Sequence, residues 1–349
     1  MPRPSFAIGA VRVRPGSTRE VGLPITRLVT GAEVSLPVRV VHGRTDGPTV
    51  WLTAAIHGDE VVGVEVVRRV LASLRPSSLV GTVIAVPIVN VLGFQTGERY
   101  LPDRRDLNRA FPGSARGSLA GRIAHLLMTE VVAKGDVGID LHTGADRRSN
   151  LPQIRADLDD PRTLELASAF GAPVVYHAKL RDGSLRAAAR ERGSTVLLYE
   201  GGESWRFDEW AIEAGVVGVR RVLARLGMID AIDEPEPAPS LVCRSSGWVR
   251  AAGSGILQLE ATLGQRVQPG DRLGGLSDSF GRRVRLVRAD RPGIVIGRTH
   301  APLLNRGDAI IHIGEVEEDH PTPDMAVELP PDPTETPLLP EATDAAPAD

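Results

Sequence analysis

The sequence is nearly without lysine and nearly without cysteine. Lys134 and Lys179 are the only lysines in 349 residues, so arginine carries the basic charge, and it is scattered among acids at a formal net charge of −3. With no basic stripe to track a phosphate backbone, nucleic acid is not expected as a partner. The lone thiol, Cys243, rules out an internal disulfide framework and fits a reducing compartment. No apolar run approaches the ~18 residues of a membrane span, and no charged start leads into an apolar stretch of signal-peptide type. The expected address is therefore cytoplasmic, with no membrane partner. Internal repeats, GxGxxG patterns and P-loops are missing as well.

Apolar residues make up 42% of the chain, enough to bury a sizeable core in one large domain and one small one. Residues 1–47 hold short β-prone pieces, Glu33 to His42 among them, broken by Gly and Pro, and read as edge strands. Beyond them α and β signals alternate. Strands are expected at Thr49–Ile56, Thr82–Val89, Val137–Leu141, Pro173–Tyr176 and Thr195–Tyr199. Helical periods fall at Asp59–Leu74, Leu119–Ala133, Pro161–Phe170, Ser184–Glu191 and Phe207–Leu226. This alternation predicts an α/β domain over residues 1–232, built on a mixed, largely parallel twisted sheet with helices on both faces. Ligands of such a sheet gather beyond the carboxyl ends of its strands.

The run Asp233-Glu234-Pro235-Glu236-Pro237-Ala238-Pro239 reads as a linker, 233–240. After it, helical signal gives way to short Gly-punctuated strands over 241–314, a second, all-β module. Residues 315–349 are acidic and Pro-rich with little to bury, and predict a disordered tail.

Two apolar runs end in residues that bind metals. The first stops at Ala55-Ile56-His57-Gly58-Asp59-Glu60, where an amphipathic period begins, so His57 and Glu60 stand at a strand-to-helix turn. Alone, such a pair is as well explained by capping chemistry on a solvated turn. The second run, Val137 to Leu141, ends in His142-Thr143-Gly144 and supplies a third ligand. Two His and one Glu with a fourth position open to water make a catalytic zinc site, one Zn²⁺ per chain. Asp140 either supports His142 from behind or caps its own turn. His42, His125, His177, His300, His312 and His320 lack partners at ligand spacing and read as core or surface histidines.

A base must take a proton as water attacks, and an acid must give one to the leaving amine. Glu200 follows the apolar run Thr195 to Tyr199 and precedes Gly201-Gly202, whose missing side chains leave space beside it; Glu203 competes three residues on. Four blocks in order resemble the succinylglutamate desuccinylase/aspartoacylase family of zinc amidohydrolases, relatives of the zinc carboxypeptidases. They are His57-Gly58-Asp59-Glu60, Asp106-Leu107-Asn108-Arg109 with Phe111-Pro112-Gly113, Asp140-Leu141-His142-Thr143-Gly144, and Tyr199-Glu200-Gly201-Gly202. The resemblance chooses Glu200 over Glu203. It implies that Asn108 and Arg109 grip the substrate's carboxylate, a task suited to a planar guanidinium fork beside a neutral donor. It also implies an arginine that stabilises the oxyanion; Arg99 matches best, with Arg104 and Arg105 adjacent. Arg148, Arg155 and Arg190 are candidates to face an acidic acyl group, and the family's tyrosine near the leaving group has no match.

The implied activity is hydrolysis of a small N-acyl amino acid, with a carboxypeptidase on short peptides and a non-catalytic binding protein as rivals. The segment 241–314, with its turn Gly264-Gln265-Arg266-Val267-Gln268-Pro269-Gly270-Asp271, resembles the barrel-sandwich fold of biotinyl and lipoyl carriers. A carrier needs a modifiable lysine, and this segment has none. It is expected to wall the zinc cleft, with a subunit contact, and so a homo-oligomer, left open.

Overall fold

The protein, described here from a computed structural model, is defined over residues 3–282 and 285–317. The chain opens with strands β1 (Phe6–Ile8), β2 (Val11–Val13), β3 (Ser17–Arg27), β4 (Glu33–His42) and β5 (Thr45–Ala54). Helix α1 (Val62–Ser73), β6 (Val80–Val86), α2 (Val91–Thr96), α3 (Leu119–Glu130), β7 (Val137–Gly144) and β8 (Arg148–Ala156) follow. Then come α4 (Pro161–Phe170), β9 (Val174–His177), α5 (Leu185–Glu191), β10 (Thr195–Glu203) and α6 (Glu209–Arg225). Local chemistry accounts for several ends. Asp160 accepts from the Arg162 amide with Pro161 behind it, and α4 stops at Gly171, whose φ is +76°. The Ser118 and Ser184 hydroxyls cap α3 and α5 in the same way.

In the sheet, β6, β5, β7 and β10 lie side by side and parallel, and β8 runs antiparallel to β10. On the far edge β4 is antiparallel to β6, and β3 is antiparallel to β4. The sheet is therefore mixed: its centre is parallel, while β4 and β8 enter by reversals and not by helical crossovers. Strand alternation sends side chains to two faces. Val50, Leu52 and Ala54 join Val137, Ile139, Leu141, Leu197 and Tyr199 under α1, α4 and α6. Trp51 and Ile56 pack on the other side with α3 and α5.

The strands after residue 240, expected as an all-β module, divide their bonds between two sheets. They are β11 (Leu241–Arg250), β12 (Gly255–Leu259), β13 (Arg266–Val267), β14 (Arg272–Ser277), β15 (Arg285–Arg288), β16 (Gly293–Thr299), β17 (Leu303–Leu304) and β18 (Ala309–Val316). Four of them, β15, β14, β12 and β17, form a sheet of their own. The others extend the main sheet: β11 runs parallel to β9, β18 pairs with β11 and β16, and β16 returns to pair with β8. Strands β8, β9, β11, β18 and β16 thereby close a ring, and Leu151, Val174, Tyr176, Leu241, Cys243, Ile294 and Ile296 form a core of their own. Glu315 and Val316, expected in the tail, belong to β18; residues 318–349 and His320 lie outside the described residues. No helix among the described residues is long and apolar enough to cross a membrane.

Candidate active site

Strand β5 ends at Ala54, and the next residue, Ala55, takes a left-handed φ of +48° while its carbonyl accepts from the Asn90 amide at 2.8 Å. That turn throws His57 to Glu60 across the end of the sheet as a loop, with α1 beginning only at Val62. The loop lies flat on α2: a Cβ on Gly58 would meet the Gly93 carbonyl carbon at 2.1 Å, so only glycine fits. His57 and Glu60 are buried, as is His142 on β7, two strands' width of side chains brought to one point.

The two imidazoles converge on one carboxylate. His57 Nδ1 stands 2.6 Å from Glu60 Oε1, and His142 Nδ1 stands 2.6 Å from Glu60 Oε2. Both outer nitrogens are held by acids: His142 Nε2 donates to Asp140 Oδ2 at 2.8 Å, and His57 Nε2 lies 3.3 Å from Asp106 Oδ1. Asp140 is fixed in turn by the Thr53 hydroxyl, which donates to its other oxygen at 2.7 Å. One ligand atom from each of His57, Glu60 and His142 lies within 4.8 Å of the others. A buried carboxylate between two Nδ1 atoms whose Nε2 atoms are already engaged fits a zinc-type divalent cation.

Electrostatics agree with the geometry. Burial pushes the Glu60 carboxyl up, but the two imidazoles outweigh it and hold it well below the usual carboxylate range. Burial resists charge on His142, yet Asp140 and Glu60 raise it well above an ordinary histidine. Arg99 joins the cluster from the loop after α2, reaching Glu60 Oε1 at 3.3 Å and Asp106 Oδ2 at 3.1 Å. Arg104 and Arg105, its rivals in sequence, are exposed.

Glu200 lies within β10, not after it, in register with His142 on the parallel neighbour β7. Its Oε1 accepts from Arg155 Nη1 at 2.5 Å, and Asn150 Nδ2 donates to Oε2. Both partners come from β8, a strand the sequence reading missed. His57, Glu60, His142, Arg99, Asn108, Arg109 and Glu200 all line one cavity of about 250 Å³, together with Arg148, Asn150, Arg155, Lys179, Arg181, Arg186 and Trp248. Asn108 accepts from the Leu185 amide at 2.9 Å through Oδ1, which turns its amide nitrogen away as a donor. Arg109 is exposed and bends back on the Asn108 carbonyl at 2.5 Å. Burial and the neighbouring Arg155 lower Arg186 to about 10, a sign of crowded positive charge.

Some expectations need correction. Arg190 does not reach this cavity; it pairs with Asp160 at the start of α4. Glu203 lines a different cavity, with Arg206 and His300. His177, read as lacking partners, stands close enough to Asp157 and Asp159 to form a second group of metal-competent side chains. Among the described residues no tyrosine lines this cavity: Tyr100 is exposed, and Tyr176 and Tyr199 are buried elsewhere.

Residues 46–226 match the succinylglutamate desuccinylase/aspartoacylase catalytic domain. The chain is 32% identical over 302 residues to the N-alpha-acetyl-L-2,4-diaminobutyric acid deacetylase of Halomonas elongata, covering 82% of this chain and 87% of that protein. A succinylglutamate desuccinylase/aspartoacylase from Rhodobacter sphaeroides has a crystal structure that superposes with a TM-score of 0.78 at 28% identity, covering 86% of this chain and 96% of that one. The product-bound ectoine utilization protein EutE (DoeB) of Ruegeria pomeroyi gives 0.79 at 25%, with 90% and 98% covered.

Proposed function

Because the chain belongs to the succinylglutamate desuccinylase/aspartoacylase family, we propose that it is a zinc-dependent deacylase that hydrolyses the amide bond of a small N-acyl amino acid. His57, Glu60 and His142 would hold one zinc ion, with Asp140 and Asp106 orienting the two imidazoles. Zinc bound there supplies a Lewis acid and a water of lowered pKa. Glu200 takes a proton on its carboxylate as water attacks the amide carbon, and returns it to the departing amine nitrogen. With no tyrosine lining the cavity among the described residues, the same carboxylate serves both steps. Asn108 donates from its amide nitrogen and Arg109 from its guanidinium to the free α-carboxylate. Arg99 offers its charge to the carbonyl oxygen as negative charge develops there. Residues 1–232 form the catalytic unit in this reading, and 241–314 the wall of its cleft.

The observation that carries the reading is the adjacency of Glu200 to His142 on neighbouring parallel strands, with both side chains in one cavity. The diaminobutyrate deacetylase named above supports an acyl amino acid over a peptide. The test is hydrolysis of N-acetyl and N-succinyl amino acids against dipeptides, with zinc measured in the same preparation. Release of acetate or succinate with one zinc per chain is the expected result. Cleavage confined to dipeptides would make the protein a carboxypeptidase, and a metal-loaded protein inactive on the whole panel would make it a binding protein.

A further inference from the structure

Trp248 sits on β11, in the C-terminal part of the chain, yet lines the same cavity as the residues assigned to catalysis. Among the described residues it is the only Trp, Tyr or Phe that does so. The ring closure of the sheet explains how it arrives: β11 runs beside β9 and β18, while β16 bonds to β8 at Asn150, the residue that holds Glu200. Trp248 is half-buried and firmly held. Opposite it in register on β18 stands His312, with ring centroids 4.7 Å apart and planes 7° from parallel. His312 is itself anchored by Ser246 Oγ at 3.0 Å and by the edge of Tyr176 at 6.0 Å. Burial and the nearby arginines lower it to about 3, so it stacks as a neutral ring. The Arg148 guanidinium lies over the indole at 5.1 Å.

Across the sheet, His57 at the end of β5, His142 on β7, Glu200 on β10 and then Arg148 and Arg155 on β8 follow in spatial order. A scissile amide between the metal ligands and Glu200, with its α-carboxylate at Asn108 and Arg109, leaves its acyl chain the side toward β8. We propose that Trp248 is a specificity-determining residue, the flat wall that ends the acyl subsite and limits the protein to short acyl groups. This rests on the deacylase reading above and adds to it which side chain measures the acyl group. A rigid indole cannot turn aside for an extra methylene, whereas the flexible arginines around it can.

The experiment compares N-formyl, N-acetyl, N-propionyl, N-butyryl and N-hexanoyl derivatives of one amino acid, and N-acetyl derivatives of several amino acids. Zinc-loaded wild type, Trp248→Phe, Trp248→Leu and Trp248→Ala are assayed together. In Trp248→Ala the butyryl-to-acetyl ratio of kcat/KM should rise about 10- to 100-fold, mostly through KM. Trp248→Phe should keep the wild-type order, and the ranking of amino acids should stay unchanged throughout. Should the alanine protein fail to fold, Trp248→Leu with a wild-type Tm carries the same test with a smaller shift. An unchanged acyl ranking in a folded, zinc-replete Ala or Leu variant overturns the proposal, as does a change in amino-acid ranking instead. A wild type active on acetyl substrates keeps these outcomes separate from failure of the deacylase reading; one that prefers succinyl to acetyl overturns the proposal and leaves that reading standing, and one inactive on every acyl amino acid sinks both.

Discussion

Asp140 offers the sharpest test of the proposed metal centre, because it stands behind His142 and is not one of the proposed ligands. It is fully buried, accepting from His142 Nε2 at 2.8 Å and from the Thr53 hydroxyl at 2.7 Å. Those two bonds fix which nitrogen of His142 faces Glu60. Asp140→Asn keeps the shape and one acceptor oxygen but loses the charge that makes the imidazole a stronger donor of electrons. Asp140→Ala loses everything and leaves a hydroxyl and an imidazole N–H unpaired in a dry site, each costing about 1–3 kcal/mol. Outer partners of metal-binding histidines are worth about 10- to 100-fold in affinity, which is about 1.4–2.7 kcal/mol. The Asn variant should fall near the lower figure and the Ala variant near the upper. Zinc affinity is read by competition with a chromophoric chelator, and kcat/KM is measured at saturating zinc. If both variants bind zinc within twofold of wild type, Asp140 is only a turn residue and the orientation argument fails.

Glu200→Gln should retain stoichiometric zinc and lose about 10²- to 10⁴-fold in kcat; normal turnover in that variant with a dead Glu203→Gln would move the role to Glu203. Arg109→Ala should weaken productive binding of free acids by about 1.5–3 kcal/mol, since Arg109 is exposed; an unchanged preference for the acid over its amide removes it from the role. Cys243, whose thiol burial pushes up to about 12, should resist thiol reagents at pH 8 in the native protein and react once per chain after denaturation. Rapid native labelling would show that the ring core opens. Truncation after Asp230 strips β11 from β9 and β16 from β8, and should yield an aggregating chain; a soluble, zinc-binding remnant with a cooperative melt would show that the first 230 residues fold alone.

The grouping of His57, Glu60 and His142 was legible because the two histidines follow apolar runs: β5 leads to His57 and β7 contains His142, and a strand's end is where a sheet presents ligands. Helix α4 was legible to the residue, since Asp160, Pro161 and Gly171 are local signals. Strand β8 was not. Its segment carries Pro152 and turns Asn150 and Arg155 toward a polar cavity, so neither continuous apolarity nor clean alternation marks it. The grip of those two side chains on Glu200 depends on a pairing 45 to 50 residues away, which no local pattern records. For the same reason the C-terminal strands read as a separate module: their composition identifies them as strands, but nothing in it names β8 and β9 as partners. Trp248 was invisible for want of that partner.

The closed ring also sets a timetable for biosynthesis. One edge of β8 bonds to β10 and can do so once Glu203 has left the ribosome. Its other edge is shared, Arg148 to Asn150 with β16 and Gln153 to Ala156 with β9. The first of those stretches, next to the carboxylate assigned to proton transfer, must wait for Thr299 and for β18 behind it. Pairings across such a separation form slowly. A nascent chain that already carries His57, Glu60, His142 and Glu200 would thus lack β16, the strand bonded to the Asn150 stretch beside Glu200, until Thr299 has been made, and the proposed chemistry would wait for that pairing.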